Sequence, residues 1–155
     1  MSDLLTAEQF RTAAKVRKKR GVLPTEARIH EAFCRYVSTK YPHFIFTSES
    51  SGIRFTMGQA VKAKKLRSSS KLPDFWLAEP RLIYHGFFME LKRSREEVYR
   101  KDGKLRDDER IQGQANILEQ LRERGYCAEF GFGLDDCIAK LEGYLDGNFF
   151  YHSRP

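Results

Sequence analysis

Apolar residues recur at helical spacing in some stretches of the chain and alternate with polar ones in others. An amphipathic helix is predicted over Asp3–Lys19, with Gly21 and Pro24 breaking it. A second helix starts at Thr25, a good N-cap, and runs to about Lys40, with Ile29, Ala32, Phe33, Tyr36 and Val37 on one face. Alternation over His43–Thr47 predicts a strand, with Gly52–Met57 as a candidate hairpin partner. Met57–Lys71 has no convincing period and reads as a basic connector, with room for partial helix. Strands follow at Leu72–Ala78 and Leu82–Lys92, around a turn at Glu79-Pro80-Arg81. Arg93–Arg106 is highly charged and predicts a solvent-exposed excursion. A long helix spans about Asp108–Arg124 and ends at Gly125, a natural left-handed cap. Tyr126–Phe132 alternates as a strand, and Asp135–Leu145 closes the pattern as a helix. This order predicts one α/β (α+β) domain with a mixed sheet over residues 25–146, after a basic extension (1–24) and before a short tail (147–155).

Composition narrows the class. A chain of 155 residues with 41% hydrophobic and 13% aromatic side chains can bury one real core. No apolar run approaches the ~18 residues of a membrane span, and the N-terminus lacks the pattern of a signal peptide. A cytoplasmic protein with no membrane partner is expected. Three widely spaced cysteines, Cys34, Cys127 and Cys137, argue against a disulfide framework, and the histidines do not pair with them at zinc-finger spacing.

The net charge of +7 is unevenly spread. Ser50–Pro73 holds Arg54, Lys62, Lys64, Lys65, Arg67 and Lys71 and no acid, while the chain from Ile111 onward is net acidic. Such polarity suits a polyanion on one side of the molecule. A solvated loop kept soluble by lysines gives the same composition, and charge alone leaves both readings open. The run Arg17–Arg20 reads equally as a localisation signal or as the cationic end of a helix.

The chemistry concentrates around Met89-Glu90-Leu91-Lys92. On a strand, Glu90 and Lys92 share one face while Met89 and Leu91 pack on the other. Asp74 opens the preceding strand after Pro73. In a hairpin centred on Pro80, Asp74 and Glu90 reach the same end of the sheet only through a bulge or stagger, for which Gly86 is the candidate. Two converging carboxylates repel unless a cation sits between them. Mg²⁺ or Mn²⁺ is the natural occupant, and beside a basic surface the set fits phosphodiester hydrolysis. A surface Glu–Lys pair would produce the same triplet, so the triplet alone is not specific. Gln114 falls near the apolar face of its helix, where it is either a satisfied core residue or a reach into the site.

The segments TEARIHEAF, LPDFWLAEP, YHGFFMELKRSREEVYRKDGKLRDDERIQGQ and QANILEQLRERGYCAEFGFGLDD, taken in order over Thr25–Leu145, resemble the PD-(D/E)XK nucleases. Within them the chain is most similar to the virus-type replication–repair nuclease (VRR-NUC) domain, in particular the small standalone phage and prophage members. The resemblance implies a restriction-endonuclease-like αβββαβ core, here with an extra N-terminal helix, and divalent-metal-dependent DNA cleavage in a bacterial or phage-infected cell. It implies Asp74 and Glu90 as metal ligands, Lys92 as the residue handling water and phosphate, Glu26 as the helix-borne acid assisting the metal or its water, and Gln114 as a positioning group. Arg54, Lys62, Lys64, Lys65, Arg67 and Lys71 are the candidate DNA contacts. Met1–Gly21 matches nothing in the family.

Two further readings compete. Related nucleases of this fold act as symmetric dimers on branched junctions, so a homodimeric resolvase is the alternative enzyme. A DNA-binding module without chemistry is the alternative of another class, although Asp74, Glu90 and Lys92 form a complete set. An RNA-binding domain lacks its aromatic platform, because adjacent Phe87 and Phe88 face opposite ways. On the first core helix, Glu26 and Glu31 lie about 140° apart at ~100° per residue. The apolar stripe places Glu26 inward and Glu31 in solvent. An acid just after the N-cap is also favoured by the helix dipole, with no catalytic role.

Overall fold

The computed structural model describes residues 23–48, 56–69 and 71–148. The expected N-terminal helix, Arg54, most of the expected Gly52–Met57 strand and residues 149–155 lie outside these. The described elements are α1 (Glu26–Lys40), β1 (Phe46–Ser48), α2 (Met57–Lys65), β2 (Phe75–Leu77), β3 (Phe87–Lys92), a 3₁₀ turn (Arg95–Glu97), α3 (Glu109–Glu123), β4 (Cys127–Phe132) and α4 (Gly133–Leu145). The strands form one mixed sheet in the order β1-β2-β3-β4, antiparallel at the first two pairings and parallel at the third.

Local chemistry explains where the helices begin and end. The Thr25 side chain accepts the Arg28 N–H to open α1, and Asp108 accepts the Ile111 N–H at 2.9 Å to open α3. Gly125 follows α3 with φ +83°, a conformation that glycine adopts without strain. The basic connector turns out to hold a real helix. Thr56 and Gln59 form a reciprocal capping box at the start of α2, a signal that sequence periodicity does not register. Because Met57 opens this helix, it is not part of a strand; among the described residues β1 pairs with β2.

The sheet separates two cores. Ile29, Phe33, Tyr36 and Val37 of α1, with Cys137, Ile138, Leu141 and Tyr144 of α4, pack on Phe75, Leu77, Phe87, Met89 and Leu91. On the other face, Ile111 and Leu118 of α3 pack with Ala128, Phe130 and Val98. The excursion is therefore not wholly solvent-exposed. Most of its charges are, but Glu97 is half-buried, Val98 is fully buried, Tyr99 and Leu105 pack behind it, and those two form a backbone bridge.

The β2–β3 hairpin differs from expectation. Its pairing Phe75↔Met89, Trp76↔Phe88 and Leu77↔Phe87 is centred on Leu82 rather than Pro80, with a long connection between the strands. No bulge is needed. Gly86 serves as a close-approach position, since a Cβ there would stand 2.8 Å from the Leu77 carbonyl oxygen.

At the far end of the domain α1 is tied to α4 through Glu142. Its carboxylate accepts hydrogen bonds from Tyr36, from Tyr41 at 2.9 Å and from Lys40 at 2.9 Å. Burial alone would raise the Glu142 pKa, but these donors hold it below the usual carboxylate value. A depressed folded-state pKa contributes stability above the unfolded value and loses it as pH falls through the folded one. Glu142→Gln should therefore cost about 1 kcal/mol at pH 7. In urea unfolding, the gap to wild type should shrink as the pH is taken below about 4.5, the unfolded carboxylate range; a gap constant with pH would show that the charge is not what the cluster binds.

Candidate active site

On β3 the alternation places Phe88, Glu90 and Lys92 on the α3 side and Phe87, Met89 and Leu91 on the α1/α4 side. Glu90 is 1% exposed and Lys92 2%. The Lys92 ammonium donates to Glu90 Oε1 at 2.7 Å, and Gln114 Nε2 donates to the same oxygen. Gln114, buried on α3, thus reaches the site rather than sitting as a core amide.

Asp74 precedes β2. Carrying the register one residue past Phe75↔Met89 sets Asp74 across from Glu90. Its Oδ2 accepts the Leu91 N–H at 3.0 Å, which fixes the carboxylate beside β3. Burial, then the Asp74 charge, with a smaller push from Glu26, raise the Glu90 carboxyl to about 7 against the pull of Lys92.

Glu26 lies in the first turn of α1, half-buried and 3.9 Å from Arg110. Glu31 points into solvent and pairs with Arg35 at 3.0 Å. The rotation expected from the apolar stripe is the one observed. Glu26 and Lys92 line a groove of about 790 Å³ whose rim carries Arg93, Arg100, Arg106 and Arg110.

Of the expected basic contacts, Lys62, Lys64 and Lys65 are exposed on α2, and Arg67 is half-buried. Lys71 lays its aliphatic stem on Gly113 of α3, next to Gln114. Sequence reasoning missed the arginines of the groove, having assigned the whole excursion to solvent. It also missed His30, which is 4% exposed on α1. The available signal was its position four residues after Glu26, on the same helix face.

The donor set suits a hard divalent cation. Among the described residues, Glu90 Oε2 and Gln114 Oε1 are buried acceptors without partners, and the acids offer only oxygen ligands. Among the described residues no three His, Cys, Asp or Glu side chains form a metal-holding group, so Asp74, Glu90 and Glu26 do not make a three-ligand cage. Two carboxylates with the remaining positions left to water and phosphate is the usual magnesium arrangement, whereas a closed protein cage is not.

A helix, three antiparallel-paired strands, a crossover helix and a parallel strand, with Asp74 before β2 and Glu90/Lys92 on β3, define a restriction-endonuclease-like core. A solved structure described as a "VRR_NUC domain protein" is similar over 79% of this chain and 89% of its own, at 19% identity and a TM-score of 0.56, so the chain has the VRR-NUC fold. No protein-family model and no curated protein matches the sequence. Among the described residues no helix is long and apolar enough to cross a membrane.

Because the folded-state pKa of Glu90 is raised, its ionisation works against folding as pH climbs from about 4.5 to about 7. Asp74→Asn removes one source of that repulsion. In the metal-free protein it should raise stability at pH 8 by on the order of 1 kcal/mol, the worth of under one pKa unit. The gain should fade toward pH 4. Unfolding in EDTA at the two pH values measures it, and a loss at pH 8 would contradict the repulsion.

Proposed function

We propose that the chain is a divalent-metal-dependent nuclease that hydrolyses phosphodiester bonds in DNA. The observation that carries this reading is the convergence of half-buried Asp74 with buried Glu90 and Lys92, with oxygen acceptors unpartnered among the described residues beside a groove rimmed by arginines. Asp74 and Glu90 would hold Mg²⁺ or Mn²⁺, which when bound polarises the phosphoryl oxygen and makes a water acidic enough to attack. Lys92 then faces developing negative charge on the phosphate. Gln114 keeps Glu90 Oε1 oriented, leaving Oε2 for the site. Glu26, which lines the groove, would accept a proton or hydrogen bond from the attacking water.

Purified protein with linear, nicked, flapped and four-way DNA should cleave in Mg²⁺ or Mn²⁺ and not in EDTA, with Ca²⁺ supporting binding but little turnover. Asp74→Ala, Glu90→Ala and Lys92→Ala should each abolish cleavage; full activity in EDTA, or activity in both carboxylate variants, would refute the reading. Glu26→Gln should slow turnover at least about tenfold, roughly 1.4 kcal/mol of barrier, with Glu31→Gln near wild type. Equal rates would make Glu26 a helix-dipole residue only.

The exposed lysines of α2 should act on affinity rather than chemistry. Neutralising Lys62, Lys64 and Lys65 together should flatten the salt dependence of duplex binding, by up to about 0.9 in log–log slope for each phosphate no longer neutralised. Cleavage at saturating DNA should be retained. An unchanged slope would return α2 to a solvated helix.

A further inference from the structure

A third buried polar atom, His30 Nδ1, has no hydrogen-bond partner among the described residues. The chemistry described above makes no use of this residue. Its other nitrogen, Nε2, stands 3.0 Å from Ser48 Oγ, and the Ser48 hydroxyl donates to the Asp74 carbonyl oxygen at 3.1 Å. A hydroxyl carries one hydrogen. With that hydrogen on the Asp74 carbonyl, Ser48 Oγ can only accept from the ring. The imidazole hydrogen is therefore on Nε2, and Nδ1 keeps a lone pair.

The ring sits among the site's charges. Burial is the largest influence on it and lowers its pKa, while the Asp74 and Glu26 charges and the Asp74 backbone carbonyl raise it and Lys92 lowers it. Leaving an acceptor buried without a donor costs on the order of 1–3 kcal/mol. Among the described residues none supplies a donor here, but the hydration shell of a cation held by Asp74 and Glu90 would. Magnesium keeps several of its waters when bound to protein, and each presents two hydrogens.

We propose that His30 is a positioning residue of this site, its Nδ1 accepting a hydrogen bond from a water bound to the divalent cation, with Ser48 holding the ring in the tautomer this requires. The proposal rests on the metal-dependent reading above and adds the α1–β1 corner to the site. Partners of this outer kind commonly tune metal affinity 10–100-fold.

The test is imidazole ¹⁵N NMR on the full chain, with and without Mg²⁺, beside calorimetric Mg²⁺ titration. The metal-free spectrum should show Nε2 protonated and Nδ1 bare. Saturating Mg²⁺ should move Nδ1 upfield, as an acceptor gaining a hydrogen bond does, with Nε2 still protonated. His30→Gln can still donate to Ser48 but offers no acceptor at the Nδ1 position. It should lose about tenfold in Mg²⁺ affinity with an unfolding midpoint near wild type, and His30→Asn, whose carbonyl can stand near that position, should regain part of the loss. If Mg²⁺ binding is abolished by Asp74→Ala yet leaves wild-type Nδ1 unmoved, or if His30→Gln binds like wild type, the role of His30 is overturned and the nuclease reading stands. If Mg²⁺ does not bind in the millimolar range, both are overturned.

Discussion

The Glu90 carboxylate is buried on an inner strand of the sheet, with Lys92 and Gln114 both donating to its Oε1. Taking a carboxylate out of water costs several kcal/mol even after relaxation, and so does burying the ammonium beside it. Neither charge is tolerable there alone. The pair must be assembled as a unit, which demands a regular strand with Glu90 and Lys92 on one face. A slip of one residue would drive both charges into the layer of Met89 and Leu91. Register at β3 is thus the constraint from which the site follows, and the apolar row Phe87, Met89 and Leu91 packed on α1 and α4 enforces it.

The topology supplies the rest. β3 and β4 run parallel, so the chain must cross over between them, and α3 is that crossover. Gln114 arrives at Glu90 because the helix that covers Ala128 and Phe130 must pass over Glu90 as well. The segment joining β3 to α3 starts at Lys92, so its arginines come to rest along the groove beside that lysine. Val98 pins this segment by full burial. The antiparallel β2–β3 pairing delivers Asp74, whose carboxylate is held by a backbone N–H of β3 itself.

Most of the core architecture was legible, because period and capping chemistry are local. Thr25, Asp108 and Gly125 mark their helix ends within a residue, and the two-residue alternation of β3 sorted Glu90 and Lys92 from Met89 and Leu91. What was not legible depended on distance along the chain. The hairpin centre was misplaced because Pro80 is a strong turn signal locally, whereas the cross-strand pairing of Phe75 with Met89 decides it. The two readings of Gln114 could not be separated without knowing what α3 packs against. Val98 was hidden in a charged stretch where one apolar residue has no periodic neighbours. His30 lay on a buried stripe, where a histidine gives no sign of which atoms find partners.

The groove mixes signs, with Glu26, Glu97, Asp107 and Asp108 among its arginines, which at first sight argues against a polyanion. The pairings answer this. Glu97 holds Arg93 at 2.5 Å, Glu26 lies near Arg110, Asp108 caps α3, and Arg106 donates to the Glu96 carbonyl. Glu97 and Asp108 are thereby tied to the wall, while half-buried Glu26 still lines the groove. Exposed pairs of this kind are worth only about 0–1 kcal/mol, too little to keep a guanidinium from a phosphate, whose charge-assisted and often bidentate bonds are stronger. Such pairings restrain Arg93 and Arg106, so less side-chain entropy would remain to be lost if a phosphate bound there. A wall of free arginines would attract a polyanion more strongly at long range but would leave its register undefined. On the proposed nuclease reading, the long-range attraction would fall to the exposed lysines of α2, leaving the groove to place the backbone against Lys92.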